Sequence, residues 1–370
     1  MRALVISHAC IAEDNRLKWE ILARSHQAIV ELHLPHRWPS WEVEYRPSPV
    51  TNSHFNIRIA HVLRAGHEDQ YFFSPVMLRG LIGGGFDILH VEQGPAAMVY
   101  FQALLERNLF SRKTRSCFFT WINWEAILRW PWTLVEPYNL RHSDGAIGGN
   151  HEAVDILKRH GFRGKTAVIP QLGVDTEYYS PSANHELRRK LGIRGAVVGY
   201  VGRLVDEKGI HLLLEASKRL DCEISILLVG SGSFEKKLVD YRFPEQIHLI
   251  HIPAVPHNTV RDYLRVMDIL VLPSYSTPTW KEQFGHVLIE AMACEIPVIG
   301  STSAAIPDVI GNAGLLFQEG NVEELFAQLK RLIQTPAERK RFGQLGRQRV
   351  LERFTHEEIA RQTLEFWKTL

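Results

Sequence analysis

Short runs of Val, Ile and Leu alternate with longer amphipathic stretches along this chain from end to end. A buried run followed by a helix-like stretch and another buried run fits crossover units on parallel sheets. The alternation predicts strands over residues 3–7, 28–34, 86–91, 116–121 and 167–170, and a second series over 196–201, 223–229, 247–252, 269–273, 297–300 and 314–317. Each half begins afresh with a strand. At 370 residues the chain exceeds what one core serves, so two α/β domains are expected. Residues 173–195, GVDTEYYSPSANHELRRKLGIRG, are rich in turn formers and charge and hold the expected hinge. The expected domains are residues 1–175 and 176–353, with a last helix over about 354–370 carrying Phe366 and Trp367 back onto the first. Ligands of two such open sheets belong beyond the carboxyl ends of the strands, in a cleft between facing domains.

Global properties narrow the function. Lys and Arg number 43 against 41 Asp and Glu, a net +2 that gives no field for nucleic acid. Cys10, Cys117, Cys222 and Cys294 are isolated, without the paired spacing of a zinc site or redox dithiol, which fits a reducing cytoplasm. The apolar runs are too short to span a bilayer, so any membrane contact is peripheral.

Three loops after second-half strands suit a phosphate. In VGRLVDEKG (residues 201–209) Gly202 admits a ligand to the backbone, Arg203 offers a fork of donors and Lys208 a point charge. Two cations just after a strand-terminal glycine resemble a diphosphate clamp, although a solvated helix entry is the plainer reading. Gly230-Ser-Gly232 reads equally as a ligand loop or as a tight turn, and no acid follows the next strand as a dinucleotide site requires. The third loop is WKEQFGHVLIEAMACEI (residues 280–296). A helix from about Gly285 would aim the amides of Phe284, Gly285 and His286 at an anion. Glu290 would then lie about 8 Å further along the axis at ~1.5 Å per residue, while Glu282 precedes the helix. An acid on either side of a phosphate has the shape of a nucleotide-sugar site: sugar, diphosphate, ribose. Buried acids need partners of that kind.

These motifs, with PSYSTPTWKEQFGHVLIEAMAC (residues 273–294), PVIGS (297–301) and QLGVDTEYYSP (171–181), resemble the retaining glycosyltransferases of family 4, whose fold is GT-B, two Rossmann-like domains facing across a cleft. The resemblance covers nearly all of residues 165–335. It implies that Arg203 and Lys208 hold the donor diphosphate, that Glu282 contacts the transferred sugar and Glu290 the ribose, and that the main chain near Ala254 and Val255 cradles the base. Gly202, Gly230, Gly232, Gln283, Phe284, Gly285 and His286 would complete the donor site. On the acceptor side the resemblance implies that His90, a catalytic candidate, and Glu92 face the cleft, and that Asn123 or Glu125 stands where relatives often carry a histidine. For His90 a hydrogen-bonded strand-end histidine is the alternative reading. The chain departs from the family at His8–Asp14, where a glycine pair is expected, at Glu295, and at Ser303-Ala304-Ala305.

No Asp-x-Asp pair occurs, so the expected transfer is metal-independent, with no cofactor beyond the nucleotide-diphosphate sugar itself and no metal ligands assigned. The acceptor would be a glycan, a lipid-linked sugar or a small molecule. Trp121, Trp124, Trp130 and Trp132 follow the basic run Arg107, Arg112, Lys113 and Arg115, which suits either a bilayer interface on the inner membrane face or core and domain-interface filling. An epimerase, a phosphorylase-type enzyme and a donor-binding protein without transferase activity are the competing readings.

Overall fold

The computed structural model describes residues 1–25, 28–40, 43–47, 54–74, 85–125 and 130–370. The chain divides into two units, Met1–Gly173 with His356–Leu370, and Val174–Thr355. Each is built on one parallel sheet.

The first sheet comprises β1 (Arg2–Ile6), β2 (Ile29–Pro35), β3 (Phe55–Ala60), β4 (Ile88–Val91), β5 (Arg115–Thr120), β6 (Gly145–Gly148) and β7 (Lys165–Val168), in the order β7-β6-β5-β4-β1-β2-β3. β1 is central, and Ala3, Leu4, Val5 and Ile6 are all buried, as a strand covered on both faces requires. Two of these strands lie outside the series that the sequence predicts. β6 reads GAIG, too glycine-rich to signal a strand, and its glycines are structural. A methyl group on Gly145 would sit 2.6 Å from the Leu370 side chain, and one on Gly148 2.7 Å from Val154. β3 reads FNIRIA and lies at the sheet edge, where polar residues are tolerated.

The chain ends in α-helix His356–Thr369, which packs on α1 (Leu17–Arg24). Trp367 stacks on Trp19 with ring centroids 5.7 Å apart and planes 8° from parallel. The loop after β1, without the family's glycines, forms two 3-10 turns, Ala9–Ile11 and Glu13–Arg16. Arg16 is buried there and spends its guanidinium on the carbonyls of Cys10 (2.7 Å) and Ile11 (3.0 Å). A side chain thus satisfies backbone groups that the turn leaves open.

The second sheet comprises β8 (Ala196–Val201), β9 (Ile224–Val229), β10 (Ile247–Ile252), β11 (Ile269–Leu272), β12 (Val298–Ser301) and β13 (Leu315–Phe317). Its order, β10-β9-β8-β11-β12-β13, is the doubly wound order, and it reverses between β8 and β11. Ligands of such sheets bind at that reversal, outside the carboxyl ends of the strands.

Candidate donor site

The loops at the reversal are fitted to one another through glycine. A Cβ on Gly230 (φ 142°) would lie 1.9 Å from the Gly202 carbonyl oxygen, and one on Gly232 2.2 Å from that of Leu204. Between them the Leu204 amide donates to the Ser231 carbonyl at 2.9 Å. The two glycines that the sequence left open between turn and ligand contact are therefore required by backbone packing. That packing leaves a hollow of about 240 Å³ lined by Gly202, Arg203, Gly230, Ala254, Val255 and His257, among others. A larger hollow of about 490 Å³, between residues 182–188 and 336–340, holds none of the expected site residues.

Arg203 is exposed at the mouth of the smaller hollow, and its guanidinium has no hydrogen-bond partner among the described residues. Lys208 ends a 3-10 turn, Asp206–Lys208. Gly209 follows with φ 70°, where a Cβ would come within 2.0 Å of the Pro273 carbonyl oxygen, so the turn lies against the end of β11. The Tyr275 amide donates to the Glu207 carbonyl at 3.0 Å and fixes that contact. In consequence Lys208 Nζ lies 2.6 Å from Glu282 Oε2, across 74 residues of sequence. Ser274 Oγ donates to the same oxygen at 2.8 Å. Lys208 also sits 4.7 Å over the Trp280 ring.

Helix α2 (His286–Ala293) starts one residue after Gly285, whose φ of 78° makes the turn into it. Phe284 is buried, Gln283 is half-buried, and Leu288, Ile289, Ala291 and Met292 bury the helix. Glu290 is buried too, yet Oε1 meets His257 Nε2 at 2.8 Å and His286 Nδ1 at 3.1 Å. Burial alone would raise its pKa, but the hydrogen bonds and charges of His257 and His286 outweigh it and hold the carboxyl down at about 2. His257 is the site residue that sequence reasoning missed; it stands 33 residues from Glu290, and no local pattern links the two.

The expected acceptor residues lie differently. His90 and Glu92 do not open to solvent: they are 1% and 3% exposed. His90 is enclosed by Trp19, Trp367 and Cys117, and Trp367 Nε1 donates to its Nδ1 at 3.1 Å. Burial pushes the imidazole down to about 3, so the ring is neutral. That is the setting of a core histidine. Glu92 pairs with buried Lys18, whose charge keeps the carboxyl low against the opposing effect of burial. Asn123 is fully buried, and Glu125 is exposed in ion pairs with Arg159 (2.8 Å) and His160 (2.8 Å).

Two departures from the family pattern carry backbone strain. Glu295 (φ 60°) and Ala304 (φ 45°) hold left-handed conformations that glycine adopts freely.

Residues 184–349 match the family described as Glycosyl transferases group 1. Over 225 residues the chain is 28% identical to an MMP alpha-(1->4)-mannosyltransferase of Mycolicibacterium hassiacum, a match covering 58% of this chain and 51% of that protein. The chain spans about half the length of the curated relatives it matches. Among solved structures, a sucrose-phosphate synthase of Thermosynechococcus elongatus matches at TM-score 0.70 and 20% identity, covering 100% of this chain and 98% of that one. HepE of Anabaena, solved in complex with UDP, matches at TM-score 0.69 and 17% identity, covering 100% of both chains. The chain has the GT-B fold, and the likeness of residues 184–349 to glycosyl transferases group 1 falls on the unit that holds the candidate donor site.

Proposed function

We propose that this protein is a retaining, metal-independent glycosyltransferase that moves a hexosyl group from a nucleoside-diphosphate sugar to an acceptor hydroxyl. The observation that carries the reading is the pair of cations at the sheet reversal, Arg203 with unspent donors and Lys208 fixed by Glu282 and Trp280. A departing diphosphate gains negative charge as the glycosidic bond breaks, and groups already held at that point stabilise it without rearranging. Each charge-assisted hydrogen bond is worth about 1.5–3 kcal/mol, so several lower the barrier appreciably. Lys208 has three N–H donors and spends one on Glu282, which leaves two for phosphate. Glu282 accepts from sugar hydroxyls, Glu290 from those of the ribose, and the main chain at Ala254 and Val255 meets the base. Retention rests on the family resemblance and implies attack on the face that the diphosphate leaves, with a phosphate oxygen accepting the acceptor's proton.

A glycan or lipid-linked acceptor and a cytoplasmic protein that touches the membrane from one side complete the proposal. All four cysteines are free thiols. Among the described residues no helix is long and apolar enough to cross a membrane. A second reading, a donor-binding protein without transfer, has one observation in its favour: the burial of His90, Glu92 and Asn123.

Thermal-shift screening against a panel of nucleotide-sugars tests the donor site. A donor at a hundredfold excess over its Kd adds about 2.7 kcal/mol of stability. Arg203→Ala and Lys208→Ala are expected to lose that shift while keeping the fold. With the stabilising donor and an acceptor, Glu282→Ala is expected to lower kcat by about a hundredfold or more. No stabilisation by any nucleotide-sugar would overturn the proposal, and stabilisation without turnover would favour the donor-binding reading.

A further inference from the structure

Two imidazoles and one carboxylate meet beside the hollow. His257 opens α-helix His257–Leu264, and His286 opens α2. The side-chain ligand atoms of His257, His286 and Glu290 all lie within 4.8 Å of one another. His286 and Glu290 are four residues apart on α2, so they share one face a turn apart, a spacing by which one helix offers two ligands to a single ion. The third ligand comes from another helix, which closes the set in three dimensions.

We propose that His257, His286 and Glu290 bind a divalent transition-metal cation of the zinc class, and that this cation excludes the nucleotide donor. Ligand atoms around a tetrahedral zinc with bonds of about 2.0–2.1 Å stand roughly 3.4 Å apart. Glu290 Oε1 already lies 2.8 Å from one histidine nitrogen and 3.1 Å from the other, so small side-chain rotations open the set around an ion. Imidazole with carboxylate selects zinc, iron, nickel or copper over magnesium and calcium. Access fits as well: the side chains of His257 and His286 are 59% and 34% exposed, which leaves remaining coordination positions to water, while Glu290 at 4% is held firmly. The ion is not a cofactor of transfer. Exclusion of the donor rests on the assignment of Glu290 to the ribose: an ion bonded to Oε1 and carrying coordinated water would fill the space beside that carboxylate which the ribose hydroxyls need.

The test is titration of metal-free protein with Zn²⁺ against a chromophoric chelator, and with Co²⁺ by visible absorption. One equivalent is expected to bind, with a visible Co²⁺ band of low coordination number. Both His257→Ala and His286→Ala are expected to weaken binding by more than about tenfold with unchanged circular dichroism. No saturable uptake, or uptake unaltered in both variants, would overturn the site and leave an ordinary histidine–carboxylate ion pair. UDP and GDP serve as competitors. A rise in apparent Kd for Zn²⁺ beyond that caused by the nucleotide's own chelation, measured without protein, supports exclusion; metal binding that is lost in the variants but, after that correction, indifferent to a nucleotide that binds the metal-free protein overturns exclusion alone. If neither nucleotide binds the metal-free protein, the donor reading fails while the metal site stands on its variants.

Discussion

His90 shows how a single residue can carry the right motif and the wrong environment. Its place at the end of β4 fits the expected strand ending in a histidine-bearing loop, but the indole of Trp367 donates to its Nδ1 and burial keeps the ring neutral. Protonation would forfeit that hydrogen bond and bury a charge. The consequence is a stability dependence with a definite sign. A histidine whose native pKa is about 3 binds its proton only in the unfolded chain between that value and the ordinary 6.5. Stability therefore falls as pH drops below 6.5, by up to about 1.4 kcal/mol per pH unit from this group. His90→Gln keeps an acceptor for Trp367 and does not titrate. Denaturant titrations from pH 6.5 to 4 should show a shallower acid loss in the variant, and parallel losses would refute the assignment. The sequence could not disclose this, because Trp19 and Trp367 lie 71 and 277 residues from His90 and only the fold joins them.

At the scale of elements, what was legible was whatever local periodicity dictates. The strand series 196–201 and 247–252 coincide with β8 and β10, and the others fall within two residues of observed strands at their ends. The strands that escaped, GAIG and FNIRIA, are shaped by neighbours rather than by their own preference. The loops at the sheet reversal were readable because their close backbone approach demands glycine, whereas the ion pairs of Glu282 and Glu290 were not, since Lys208 and His257 reach them from other elements. Gly230 puts that close fit to a test. In Gly230→Ala the methyl group would lie 1.9 Å from the Gly202 oxygen, a backbone atom that cannot swing aside, at a φ of 142° that disfavours a side chain. The 202–204 and 230–232 loops must separate. We expect a loss of about 2–4 kcal/mol of stability and a nucleotide affinity weakened at least tenfold. A variant with wild-type melting and affinity would show that the loops are not so closely fitted.

Taken as a whole molecule, the chain is nearly neutral, so any attraction to an anionic surface must arise from local placement. One region meets that condition. The α-helices Met98–Phe110 and Trp132–His142 pack together, with Phe101 edge-on to Tyr138 at 4.9 Å. Of the ten exposed large hydrophobic residues among those described, Leu105, Leu109, Phe110, Trp130 and Leu134 belong to this pair or its ends. Arg112, Lys113, Arg115 and Arg141 are exposed close by in sequence. Of the tryptophans proposed for an interface, Trp130 is 78% exposed, while Trp121, Trp124 and Trp132 are half-buried; residues 126–129 of that segment lie outside the described residues. Exposed aliphatic and aromatic groups with cations close by in sequence suit the headgroup region of an anionic leaflet, where each Lys or Arg contributes about 1 kcal/mol. Sedimentation with phosphatidylglycerol vesicles at low salt should therefore carry the protein down, and phosphatidylcholine vesicles should not. Removing two charges in Arg112→Gln with Lys113→Gln should weaken binding about thirtyfold. Trp130→Ala should weaken it as well, through lost apolar burial, and that effect should persist at high salt while the charge effect fades within a Debye length of about 3 Å at 1 M. Absence of binding to anionic vesicles at low salt would refute the membrane reading and return these side chains to an interface with protein or to plain exposure.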